Sequence, residues 1–400
     1  MTALAQALAV RTPLGWRQLR HRPSRLAVAL AGIVFADLLI FMQLGVMGAL
    51  FETAVSPVRL LKADILLLSP DARQFGRMGT LPRRRLYQAL GVAGVVGGAA
   101  LQVGSVDVRP SDGDGRARGA EAGHANVMVF GVDPDFDGFV RPEIAGQLPL
   151  LRAADTGLLD RLTRAALARL VASVARSGSA TVEIAGRMLR IGGLFSLGAS
   201  FDNDGSLIVS DQTFLRLFPS RSGSAVSAVL LRTDPGVPVD DVLRRLRAAL
   251  PGADAQALAV AGYAEFIQGY MRRETPVGFV FTFGVVFGCV IGFAITYQVL
   301  SADVNDHLSE YAVLRAMGFT QRYLLGVVFE QAALLAGLGF VPAVVLAFGL
   351  YGLVAHGTEL AVTMPPSRPL LVGMLTIAMC AASGALATRR LAAADPADVF

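Results

Sequence analysis

Few side chains in this chain of 400 residues are placed to do chemistry, and their spacing excludes most of the reactions they could serve. The sole lysine, Lys62, follows Leu60-Leu61 rather than a glycine-rich turn, so it cannot complete a phosphate-binding loop. ATP hydrolysis by that route is excluded, and any work the chain does must draw on a partner or a gradient. His21, His124, His307 and His356 stand far apart, without HExxH or GxSxG, and read as unrelated surface or loop residues. Cys289 and Cys380 both fall inside apolar runs, which argues against a disulfide framework or a zinc site. Asp37 lies about twelve residues into such a run, near mid-bilayer if the run spans a membrane. A buried ionisable group is costly there and marks a candidate site. It shares a face with Phe41, Leu44 and Gly48, so it points at another helix. The nearest other intramembrane acid is Glu330. A proton relay would need further partners, so a neutral or hydrogen-bonded structural Asp is the better reading. With no paired acids, Ser/His set or metal ligands in the runs, an intramembrane enzyme fails.

The elements that must hold these residues are set by composition. Hydrophobic residues make up 54% and charged residues 17%, against roughly 25% charged in ordinary soluble proteins. Mean hydropathy is +0.54. That excess belongs in lipid, and it excludes a wholly soluble enzyme or a disordered chain. Net charge is +5, and all but one of the 36 basic residues are arginine, scattered without any aromatic-basic module for nucleic acid.

Four apolar runs are long enough to cross a bilayer: 26–50, 276–300, 323–354 and 369–388. The third contains Pro342 and is expected to kink or tilt. The first greatly exceeds a signal-peptide core and lacks a clean cleavage site. Arg11, Arg17, Arg20, Arg22 and Arg25 precede it, while Arg389 and Arg390 follow the fourth run, which predicts both termini on the cytoplasmic side. Arg272 and Arg273, beside Glu274, run against that rule locally. Residues 1–25 then form a cytoplasmic lead-in with an interfacial helix over 13–20, where Trp16 and Leu19 would meet the lipid boundary. Residues 51–275 form a large extracytoplasmic domain, 301–321 a cytoplasmic segment, 355–368 a short outer loop and 389–400 a cytoplasmic tail.

The texture of 51–275 is α+β. Ala63–Ser69 and Val226–Thr233 read as strands, and Asp155–Arg176 as a helix with Leu158, Leu162, Ala166, Leu170 and Val174 on one face. Asp240–Leu250 reads as a second helix, joining Val226–Thr233 to Ala257–Val260 in a βαβ unit. Asn203-Asp204-Gly205 predicts a hairpin between 194–200 and 207–209. Ser111–Asn126 reads as a mobile loop.

Two further patterns stand out. In 301–321, Glu310, Leu314 and Met317 share a helical face and Gly318 supplies a stop. A short, partly apolar helix of that kind suits a groove on a cytosolic protein, and a plain connector is the alternative. In the second run, Gly284, Gly288 and Gly292 make overlapping small-xxx-small steps, which favour close helix–helix contact and point to a homodimer seam.

One span, a large domain, three spans, and Glu310 followed by Leu314-Arg315-Ala316-Met317-Gly318 between the second and third spans together resemble the FtsX/MacB-type ABC permeases. Several strings are similar to the DevC permeases of heterocyst-glycolipid exporters: Thr12–Trp16, Phe41–Gly45, Pro82–Leu90, Gly192–Gly198, Thr213–Pro219 and Ala394–Phe400. Asp37 departs from that pattern. The resemblance implies an α-helical membrane protein with four transmembrane helices plus a large extracytoplasmic α+β domain, set in a bacterial inner membrane. That domain would divide into a porter-like lobe (55–135 plus 223–272) and an inserted lobe (136–222). It implies a non-catalytic homodimeric permease that binds no cofactor itself, with ATP and Mg held by two copies of a separate ABC ATPase. A periplasmic membrane-fusion adaptor and a TolC-like outer-membrane channel would complete the assembly. The segment from Tyr311 to Gly318 would receive the ATPase stroke, and the outer domains would push a lipid or other hydrophobic cargo outward. The alternative is an FtsX-like mechanotransmission protein that regulates a periplasmic partner, such as a cell-wall hydrolase, without moving cargo.

Overall fold

The computed structural model describes residues 21, 23–108, 125–274, 276–307, 310, 313, 317, 320–358 and 362–393. The chain divides into two compact units, Met1–Gly48 with Pro276–Phe400, and Ala49–Thr275. The expected interfacial helix at 13–20 and the resemblance-bearing strings Thr12–Trp16 and Ala394–Phe400 lie outside the described residues.

Among the described residues, four helices are long and apolar enough to cross a membrane. They are α1 (Pro23–Val55), α8 (Pro276–Asp306), α9 (Gln321–Thr358) and α10 (Ser367–Ala393). Each helix outruns its apolar run, because backbone hydrogen bonding continues where hydropathy falls. α8 absorbs Ser301–Asp306, which the sequence places in the cytoplasmic segment, and α10 carries Arg389 and Arg390 as helix rather than tail. α9 runs through Pro342 as one helix.

The domain between α1 and α8 is a nine-stranded mixed sheet in the order β11-β1-β10-β3-β4-β8-β5-β7-β6. Its strands are β1 (Ile65–Leu68), β3 (Val95–Val108), β4 (Ala125–Val132), β5 (Thr156–Asp160), β6 (Ala180–Ile184), β7 (Arg187–Phe195), β8 (Gly205–Ser210), β10 (Ala228–Thr233) and β11 (Gln256–Ala259). A small separate pair joins β2 (Leu81–Pro82) to β9 (Ala225–Val226). The expected strand over Val226–Thr233 is thus two strands broken at Ser227, which donates to and accepts from the Val103 backbone. The expected βαβ unit is present, as β10, then α6 (Val239–Ala249), then β11. β1 lies antiparallel between its two strands.

Two apolar cores flank this sheet. In one, Leu86 and Ala89 of α2 (Arg84–Leu90) and Val242 and Leu246 of α6 cover Ile65, Leu67, Val229 and Leu231. In the other, Val174 of α4 (Ala168–Ser177) and Phe214 and Leu217 of α5 (Asp211–Leu217) cover Val127, Val129, Leu189 and Ile191. Phe75 packs against Phe130 of β4 and Tyr263 of α7 (Val260–Arg273), at ring centroid distances of 5.7 and 6.4 Å.

Three expectations are corrected here. Asp155–Arg176 is not one helix: Thr156–Asp160 is the strand β5, buried at all five positions, and the helix is confined to α4. A strand covered on both faces has no polar alternation, so its leucines mimic a helical stripe. α4 stops at Gly178, which is left-handed at φ 76°. Asn203-Asp204-Gly205 does not make a hairpin, because β8 pairs with β4 and β5 rather than with β7. The adjoining hairpin is β6–β7, turned at Ala185 and Gly186 with φ of 51° and 74°. Of the expected loop 111–126, residues 111–124 lie outside the described residues, while Ala125 and Asn126 open β4.

Asp160, wholly buried at the end of β5, holds the segment after β7. Its carboxylate accepts from the N–H groups of Leu162 and Leu197 (3.0 Å each) and of Gly198 (2.7 Å). Burial pushes its pKa up, and these N–H groups and the nearby Arg141 pull it back. The two cores named above draw on residues between 65 and 259, and the buried Val58, Leu60, Tyr263 and Ile267 also fall within 55–272. Residues 55–272 expressed without the four long helices are therefore expected to give a soluble protein with one cooperative thermal transition. An aggregate, or a melt without a transition, would contradict that.

Candidate functional site

With no catalytic set to assemble, the candidate site is the helical unit itself. Its close contacts are made at glycines. A Cβ on Gly288 of α8 would stand 2.8 Å from Ile40 and 3.4 Å from the Ala36 carbonyl, both on α1. Gly284 lies beneath the Gln43 side chain, and Gly292 beneath Met379 of α10. The expected helix packing at these three glycines is therefore made inside one chain, against α1 and α10. The homodimer seam expected on this face is corrected accordingly: the face is already filled. Gly48, grouped with them from its place on α1, accommodates the Arg368 guanidinium instead of a helix backbone.

Other packing glycines escaped the sequence reading. A Cβ on Gly45 would meet the Tyr351 ring and hydroxyl at 2.5 Å, and that hydroxyl donates to the Phe41 carbonyl (2.5 Å). Gly32 admits Ile295, and Gly339 admits Ile33. The available signal was a small residue on one helix set against a bulky one on another, which has no fixed spacing.

The opposite side of α8 is open. Phe279, Phe283 and Phe287 stack at 6.1 and 6.0 Å, and each is more than half exposed. At about 100° per residue this aromatic face lies about 140° around the helix from the glycines. Val280, Val286 and Val290 share it and are also exposed.

Polar contacts tie the helices together at two levels. At one, Gln331 of α9 donates to Asp303 Oδ2 of α8 (2.7 Å), and Arg25 of α1 pairs with Asp306 of α8. His307 Nδ1 lies 2.9 Å from the Asp303 carbonyl oxygen. Gln331 carries a contact the sequence reading missed, and its signal is a polar side chain beside Glu330 in an apolar run. Glu330 has one carboxylate oxygen buried without a hydrogen-bond partner among the described residues. At the other level Asp37, with no exposed surface, faces Thr376 of α10 across 2.8 Å. The structure does not bring Asp37 and Glu330 together by any described contact. Among the described residues, no group of three or more His, Cys, Asp or Glu side chains could hold a metal ion.

Of the segment predicted to meet a cytosolic partner, Glu310, Val313 and Met317 are described. Glu310 is exposed and Met317 is 63% exposed. Met317 donates its N–H to the Val313 carbonyl (2.9 Å). Tyr311, Leu314, Arg315, Ala316 and Gly318 lie outside the described residues.

Residues 280–396, a range that takes in most of α8 and all of α9 and α10, match the family described as FtsX-like permease C-terminal. No curated protein matches the sequence. Among solved structures, the chain is similar to the extracellular domain of the noncanonic ABC-type transporter YknZ from Gram-positive bacteria. That match has 13% identity, 49% of this chain, 98% of that chain and a TM-score of 0.33. It is also similar to the periplasmic region of MacB from Actinobacillus actinomycetemcomitans, at 11% identity, 54% and 95% coverage and a TM-score of 0.32. A domain of a putative permease protein from Porphyromonas gingivalis matches at 14% identity, 50% and 87% coverage and a TM-score of 0.28.

Proposed function

We propose that this chain is the permease subunit of an ATP-driven transporter of the FtsX/MacB type. The observation that carries this reading is the FtsX-like permease match over α8–α10, joined to a fourth long apolar helix and a large α/β domain between them. The chain is non-catalytic and binds no nucleotide. ATP and Mg are held by two copies of a separate ABC ATPase, which dock on the segment from Glu310 to Gly318. Both termini and that segment are cytoplasmic, and the α/β domain is periplasmic, on the arginine counts given above. Its porter-like lobe is 55–135 plus 223–272, and its inserted lobe is 136–222. The permease acts as a homodimer in the inner membrane, and the open Phe279/Phe283/Phe287 face of α8 forms its seam. Closure of the dimer moves the periplasmic domains, which push a lipid or other hydrophobic cargo into a membrane-fusion adaptor and a TolC-like channel. The DevC-like strings support a lipid cargo.

The test is reconstitution. Purified in lipid nanodiscs, the chain alone is expected to hydrolyse no ATP. It should bind the ABC-type ATPase encoded beside it and change that subunit's hydrolysis rate. ATP turnover by the chain alone, or no binding to such a subunit, would overturn the reading.

A further inference from the structure

The contacts of Asp37 fix the place of one proton. Thr376 Oγ1 stands 2.8 Å from Asp37 Oδ1 and also 2.8 Å from the carbonyl oxygen of Val372, one turn earlier in α10. A threonine hydroxyl has one proton and two lone pairs, so it cannot donate to both. The Val372 oxygen can only accept. Asp37 Oδ2 is buried and has no hydrogen-bond partner among the described residues.

Three protonation arrangements are possible. If Asp37 were ionised, Oδ2 would be a negatively charged oxygen buried in an apolar span without any partner, which is the costliest outcome. If the proton sat on Oδ2, it would have no acceptor. If it sits on Oδ1, every proton is used: Asp37 O–H donates to Thr376 Oγ1, and Thr376 O–H donates to Val372. Only the lone pairs of a carbonyl oxygen are left over, the least expensive vacancy of the three. Among the described residues, no cation is recorded in contact with Asp37 that could pair with a carboxylate, and the titratable groups that feel its charge are the thiols of Cys289 on α8 and Cys380 on α10.

We infer that Asp37 is held as the neutral acid and donates to Thr376, forming a proton-bearing latch between the first and last long helices. This rests on hydrogen-bond geometry alone and stands whether or not the chain is a transporter subunit. It has a second consequence. Thr376 also lines a cleft of about 410 Å³ between α9 and α10, with Phe329, Ala336, Phe340, Gly373 and Ile377. With its proton donated to Val372 in this arrangement, Thr376 offers that largely apolar cleft no hydroxyl donor.

The test uses the full-length chain in lipid nanodiscs with isotopically labelled aspartate. Infrared spectra at neutral and mildly alkaline pH are expected to show a protonated-carboxyl C=O band that shifts with the label and is missing from Asp37→Asn. Asparagine can donate from the same place, so Asp37→Asn should melt like the parent. Asp37→Leu and the isosteric Thr376→Val should each lower the melting temperature by about 2 °C or more. Combining them should cost no more than either alone. A spectrum in which Asp37 contributes only carboxylate bands would overturn the inference. So would an Asp37→Asn protein as destabilised as Asp37→Leu, or single losses that add in full.

Discussion

Replacing Leu314 and Met317 together by aspartate is expected to strip the ATPase from the detergent-purified permease. In a helix over 310–318 both side chains would share the face meant for an apolar groove, and burying each would contribute about 1.5–3 kcal/mol. Losing both, and adding two charges that must then be desolvated, weakens binding by at least about a hundredfold at 1.4 kcal/mol per factor of ten. Met317 is already 63% exposed in the isolated chain, so its replacement removes little internal packing. The permease itself should keep its melting temperature and its yield. Co-purification of the double variant at the parental level would sink the docking assignment and leave 301–321 as a connector.

Gly288→Leu is expected to part α8 from α1 within one chain. A Cβ there already crowds Ile40 at 2.8 Å, and the Ala36 carbonyl at 3.4 Å is backbone that cannot rotate away. A leucine adds three further carbons along that line, and overpacking of this kind costs about 1–3 kcal/mol or more. The melting temperature of the helical unit should fall. Cysteine crosslinking separates the two faces, in a background with Cys289 and Cys380 replaced by alanine. Ile40→Cys with Gly288→Cys should close a bond within the monomer, while Phe283→Cys should link two chains. A dimer band from Gly288→Cys alone would return the seam to the glycine face.

The four long helices could be read from the sequence because lipid imposes a length and a composition on each segment separately. β1, α6 and β11 were legible for a similar reason: each carries its apolar pattern within a dozen residues. What was hidden depends on partners distant in the chain. Leu158 and Leu159 are buried because β7 and β8 flank β5, and nothing in Thr156–Asp160 itself announces that. Asp204 looks like a turn residue, but its carboxylate is taken up by the Asn126 N–H (2.8 Å) and by Arg164 (2.6 Å). The glycines of α8 follow the same logic. Their spacing defines a face, but whether Ile40 or a second chain fills it depends on where α1 lies. Asp37 was recognised as buried, and its reading as a neutral or hydrogen-bonded residue agrees with the contact to Thr376. The partner itself, on the last long helix, carried no local mark.

The position of β1 in the sheet also sets a timetable. Ile65 is among the first strand residues to be synthesised, yet its neighbours are Leu231 on one side and Ala259 on the other. At about 5–20 residues per second, the ribosome needs roughly 10–40 s to deliver the second neighbour. Until β10 emerges, Ile65–Leu68, four apolar residues in a row, have neither edge paired, and one edge stays open until β11 follows. Such distant pairings are slow to form and leave strands open to misassociation. The second edge of β1 is covered only as β11 emerges, one helix (α7) ahead of α8, so a nascent chain cut short before residue 256 is left with an open strand edge and a target for proteolysis.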